Sequence, residues 1–83
     1  MALPRHQLET ALAHLGKRDW QAAHEIVQKD ERSRLACWLH GIVHLLEGDE
    51  ANARYWYRAA KRPFPDKPDV AAEISAARRE LLL

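Results

Sequence analysis

Eighty-three residues form one domain's worth of chain, and a domain of that size buries only about 60% of the surface its unfolded chain exposes, so there is room for a single core. Hydrophobic residues at 47% and charged residues at 30% exclude a disordered chain, and a net charge of +1 excludes the global basic field of a dedicated nucleic-acid binder. A single cysteine excludes an intramolecular disulfide and the cysteine pairs of a structural zinc site, which leaves side-chain packing to stabilise the fold.

Helix start and stop signals punctuate nearly the whole chain. Pro4 stands where a first-turn proline belongs, Leu8, Leu12 and Leu15 recur at helical spacing, and Gly16 ends the pattern, so a first helix is expected over 4–15. Asp19 caps a second helix whose stripe is Trp20, Ala23, Ile26 and Val27 and which ends near Lys29. Ser33 is the capping candidate for a third helix from Arg34 to Glu47. Gly48 then takes the left-handed stop position and Asp49 caps a fourth helix, Glu50 to Lys61. Residues 62–68 carry three prolines, Pro63, Pro65 and Pro68, and read as a stiff linker. Asp66 or Asp69 starts a fifth helix from Val70 to about Leu82, with Val70, Ile74, Ala77 and Leu81 on one face. No segment shows the β-branched alternation of a strand. The expectation is one all-α domain over 1–83: a hairpin over 4–29, a second over 34–61, the proline-rich linker over 62–68 and a C-terminal helix over 69–83.

The amino end has neither the charged stretch nor the apolar run of a secretory signal. The longest apolar stretch, Leu35 to Leu46, is interrupted by His40, Gly41 and His44 and falls short of the ~18 residues of a membrane span. A cytoplasmic protein without a membrane partner is expected, and the lone thiol agrees with a reducing compartment.

Sliding the sequence on itself by 30 residues places His14-Leu15 on His44-Leu45, Asp19 on Asp49 and Ala23 on Ala53, with Leu12 falling on Ile42. A two-helix unit occurring twice with short connections implies helical hairpins stacked side by side. In the second copy Gly41, Gly48-Asp49, Ala53, Tyr57, Ala60 and Pro65 resemble the tetratricopeptide (TPR) repeat, at the relative spacings of its helix A glycine, turn, packing alanine, helix B aromatic, second small residue and closing proline. His44 stands at the usual tyrosine position. The first copy keeps His14, the turn aspartate, Trp20 and Ala23 but lacks the glycine, and the period of 30 is shorter than the family's 34. The run from Trp38 to Arg58 also resembles small bacterial proteins of unknown role.

Three groups of residues could carry function. On a wheel at about 100° per residue, Cys37, His40 and His44 share one face of the third helix with Glu47 adjacent, and imidazole and thiolate are good transition-metal ligands. The simpler reading of this face is packing across the third and fourth helices, because His14 repeats the His44 position. Asn52, a mid-helix asparagine, could join His40, His44 and Tyr55 in one polar cluster, either a buried network that fixes the hairpin, the simpler reading, or a site for a small ligand. On the fourth helix Arg54, Arg58, Lys61 and Arg62 fall together beside Tyr55, as a stripe suited to phosphate, an acidic peptide or RNA, the last disfavoured by the near-zero net charge; a solvated face paired with acids such as Glu50 is the alternative. In the TPR register Trp38, Ile42 and Leu45 would line a concave groove able to anchor a partner's helix or peptide.

No nucleophile has a neighbouring base, and there is no phosphate-cradling glycine loop, HExxH or CxxC, so no catalytic residue and no cofactor are assigned. The function expected is a non-enzymatic protein-interaction adaptor docking its partner at Trp38, Ile42 and Leu45, with Arg54 and Arg58 orienting an acidic partner. The alternative is a small-ligand or metal-binding protein built on His40, His44 and Asn52. The terminal Leu81-Leu82-Leu83 adds an expected self-association seam, a homodimer through the C-terminal helix.

Overall fold

A computed structural model describes residues 2–83, and its elements are helices α1 (Arg5–Gly16), α2 (Trp20–Val27), α3 (Arg34–Glu47), α4 (Glu50–Ala59) and α5 (Val70–Leu82). The all-α expectation holds: among the described residues there is no strand. None of these helices is long and apolar enough to cross a membrane. The third and fifth helices have the boundaries the sequence implies, while α2 and α4 stop two residues early.

The helix ends show why. Asp19, Asp49 and Asp69 each accept a hydrogen bond from the backbone N–H three residues on, at Ala22, Asn52 and Ala72, which satisfies one of the orphan donors of the first turn. Three helices also close in the same way, with a backbone N–H reaching back five residues: Asp19 to the carbonyl of His14, Asp49 to that of His44 and Arg62 to that of Tyr57. The residue before each of those donors is left-handed, with φ of 64° at Arg18, 88° at Gly48 and 59° at Lys61. Only one of the three is the glycine such a position favours. Gly16, where the leucine pattern of the first helix ends, has no positive φ and is the last helical residue.

Ser33 precedes α3 but makes no capping bond with its side chain. Buried Asp30 organises that turn instead, its carboxylate accepting from the backbone N–H groups of Arg32 and Ser33 and, across the fold, from that of Leu3. Burial acts to raise the Asp30 pKa; hydrogen bonds from Ser33, Arg32 and Leu3 outweigh it and bring the carboxyl down to about 2. The amino-terminal segment is thereby tied to the α2–α3 turn.

The first hairpin packs α1 on α2 and the second packs α3 on α4, and α3 also touches α1, α2 and α5. That central position is visible residue by residue, because every position from Ala36 to His44 is buried. A helix buried on all sides cannot have a free face. The helices α3 and α4 meet at Gly41, where a Cβ would lie 2.5 and 2.7 Å from the Tyr57 ring carbons. In the first hairpin the residues thirty positions earlier, Ala11 and Val27, are both buried: a methyl group stands where the glycine does, opposite a smaller side chain.

The proline linker carries the chain from α4 to α5, which packs on α1 and α3. Half-buried Glu73 of α5 accepts hydrogen bonds from the Trp38 indole N–H at 3.1 Å and the Tyr57 hydroxyl at 2.5 Å through one carboxylate oxygen. Burial first, and then the Glu73 hydrogen bond and charge, push the Tyr57 phenol well above its ordinary range, so it remains a donor. The Arg62 guanidinium lies over the Trp38 ring at 3.4 Å and reaches Glu80 of α5 at 3.4 Å.

Two substitutions test this reading of the backbone. Gly41→Ala forces a methyl into a Tyr57 ring whose hydroxyl is held by Glu73, and should cost about 1–3 kcal/mol in urea unfolding. Arg18→Gly relieves a left-handed side-chain residue at an exposed turn and should raise stability by about 0.5–1 kcal/mol in the same measurement.

Candidate functional site

The expected groove does not exist as an open surface. Trp38 is 1% exposed and Ile42 0%, because α5 covers the side of α3 on which a stacked repeat would present them, and Leu45 is half-buried against the same core. The docking role assigned to Trp38, Ile42 and Leu45 is thus corrected to a core role. The indole N–H, which would have been a partner's handle, is already satisfied by Glu73.

The histidine face is rearranged in membership. His40 is 3% exposed and stacks on the Trp56 indole, with centroids 3.8 Å apart and planes 9° apart. Its ring also stacks on His44 at 5.1 Å and meets His24 of α2 edge-on at 4.8 Å, while His24 and His44 are 5.6 Å apart. One metal-ligating atom from each of these three histidines lies within 4.8 Å of the others. His44 Nδ1 is 2.7 Å from a Glu47 carboxylate oxygen, whereas His40 Nδ1 is buried without any hydrogen-bond partner. Burial, followed by the neighbouring His24 and His44, lowers the His40 pKa to about 3, so this ring is neutral at physiological pH. A second set, His44, Glu47 and Asp49, also has ligand atoms within 4.8 Å, at the more exposed end of α3.

Cys37 and Asn52 drop out of the cluster. Cys37 is fully buried toward the α2–α3 turn, where burial and then the charges of Asp30 and Glu31 raise its thiol pKa, so it is a protonated packing residue rather than a ligand beside His40. Asn52 is exposed, and its amide donates to the Asp49 carboxylate at 2.8 Å, which explains this residue as part of the α4 cap. Tyr55 is 57% exposed, its ring meeting Trp56 in a T-shaped contact at 5.0 Å. The members missed from the sequence are His24 and Trp56. One signal was available for His24: it falls four residues after Trp20 and three before Val27, inside the apolar stripe of α2, where an imidazole must face another element.

On α4 the arginine stripe becomes a cleft. Arg54, Tyr57, Arg58, Arg62 and Phe64 line a cavity of about 210 Å³. Arg54 lies over the Phe64 ring at 4.3 Å and bonds Glu50 at 3.1 Å, and Arg62 is seated over Trp38, so both guanidinium groups are held by aromatic faces. Arg58 is exposed and, among the described residues, has no acidic partner. The terminal leucines divide: Leu81 packs on the core, while Leu82 is 67% exposed and Leu83 fully so. With Glu9, Leu12, Ala13 and Arg78, Leu81 and Leu82 line a second cleft of about 410 Å³ between α1 and α5.

His40 sets an acid limit to the fold. Its folded pKa lies below the ordinary value of 6.5, so the unfolded chain binds the extra proton, and stability is complete above about pH 6.5 and falls as pH drops toward about 3. Urea midpoints between pH 7.5 and 4.5 should fall with a slope of up to ~1.4 kcal/mol per pH unit from this residue, and His40→Leu should flatten that slope. No family model, curated protein or solved structure matches this chain, so its function has to be reasoned from these side chains.

Proposed function

We propose that the protein is a non-enzymatic interaction module that recognises an acidic segment of a protein partner through α4. The observation that carries this reading is the cleft in which Arg54, Arg58 and Arg62 converge beside Tyr57 and Phe64. A guanidinium stacked on an aromatic ring has lost much of its rotamer freedom before binding, so less ordering entropy is lost when a carboxylate arrives. Arg58, exposed and without an acidic partner, supplies the free bidentate donor. Tyr55, exposed on the same helix, offers an amphipathic ring to a partner.

The mechanism differs from docking into a TPR-like groove, since the concave residues are covered by α5. Recognition would be carried by charge at an accessible surface, which makes association salt-dependent and modest in affinity. This reading draws no binding face from the TPR-like resemblance. No reaction is proposed, since the cleft presents donors without a nucleophile or base.

Selection from a displayed library of random peptides tests the reading. The enriched peptides should be rich in Asp and Glu, and their affinity should fall at least tenfold, ~1.4 kcal/mol, in Arg58→Glu and by more than that between low and high salt. Enrichment without acidic character, or affinity unchanged by Arg58→Glu, would sink the proposal.

A further inference from the structure

The geometry points to a zinc-type transition-metal site formed by His24 of α2 with His40 and His44 of α3, supported from outside by Glu47. This is independent of the arginine cleft. It also replaces the metal set suggested by the sequence, since Cys37 faces the α2–α3 turn and His24 takes its place.

Four observations carry it. First, the three ligand atoms already lie within 4.8 Å of one another, whereas nitrogens bound to tetrahedral zinc at about 2.1 Å are about 3.4 Å apart. The remaining closure is a matter of side-chain rotation. His40 and His44 are one turn apart on a single helix, so their spacing is set by the helix itself, and α2 brings the third ring from a packed neighbour. Second, His40 Nδ1 is a buried nitrogen with no hydrogen-bond partner. Such an atom is costly to leave empty, and a metal would satisfy it. Third, His44 donates or shares a proton at Nδ1 with Glu47 at 2.7 Å, which leaves Nε2 as its lone-pair nitrogen. A carboxylate on the far nitrogen of a ligating imidazole fixes the tautomer and raises its basicity. Fourth, Trp56 stacks flat on His40 and closes one side of the cluster, so the ring is held in one orientation in an apolar surrounding.

The donor set selects the class of ion. Three imidazole nitrogens with no carboxylate among the ligands suit zinc, cobalt, nickel or copper rather than magnesium or calcium, which require oxygen ligands. Three protein ligands leave a fourth position, and His24 is the half-buried member of the three. The bound ion would join α2 to α3 by a link additional to side-chain packing, which makes thermal stability a second readout beside binding.

The test uses the full chain without a histidine tag, treated with chelator and then titrated with zinc chloride in a calorimeter, with cobalt chloride as the optical probe. The expected result is one zinc per chain, a zinc-dependent rise in Tm, and the strong visible absorption of tetrahedral cobalt. His24→Gln, at a half-buried position, should abolish all three while leaving the circular dichroism spectrum intact. Glu47→Gln should weaken zinc binding about tenfold or more without changing the stoichiometry. His40→Gln is not relied upon, because that ring is part of the core. Absence of stoichiometric binding overturns the inference, and so does binding that persists in His24→Gln, which would assign the metal to the exposed end of α3 with Glu47 and Asp49.

Discussion

Glu73 reaches from α5 to the indole of Trp38 and the hydroxyl of Tyr57, joining three helices at one oxygen. Without α5 the Trp38 side of α3 would face water, and this 83-residue chain would lose part of its one core. The node also positions the surface above it. Tyr57 fills the space Gly41 leaves, its ring meets Phe64 at 5.2 Å, and Phe64 in turn seats Arg54. Arg62 completes the arrangement over Trp38. A half-buried acceptor in α5 is thereby connected, contact by contact, to the exposed arginine cleft.

The histidine cluster stands on the other side of the same helix and obeys a different constraint. Rings of His24, His40 and His44 occupy volume that leucines would fill at lower cost, and His40 leaves a ring nitrogen unsatisfied. Stacking on Trp56 recovers part of that cost through dispersion, but stacking does not satisfy a nitrogen. Polar groups retained in a core at an energetic loss are where a requirement other than stability is to be sought.

The helix ends are readable in the sequence because their signals are local. Asp19 and Asp49 cap their helices within three residues, and the turns before them form by backbone hydrogen bonds five residues long. Any sequence with those residues at those spacings makes the same turns. Gly41 was equally readable, since the close approach of α4 leaves no room there for a side chain. Ser33 misled because capping ability is local but the site was already held by Asp30, whose third bond comes from Leu3, 27 residues away. Asn52 misled in the opposite direction: its partner was the neighbouring cap, Asp49, not the distant histidines.

What the sequence by itself determined is the set of helices, their caps and their pairing into hairpins, because each follows from interactions spanning at most a few turns. What only the tertiary structure decided is which faces remain free. A periodic stripe states that a helix must be covered, not by what. The stripe of α5 covers Trp38 and Ile42 and turns an expected groove into core, while α2 delivers His24 to a pair of histidines 16 and 20 residues further along the chain. Both outcomes rest on where whole helices dock, and docking depends on the summed shape of surfaces that are far apart in sequence.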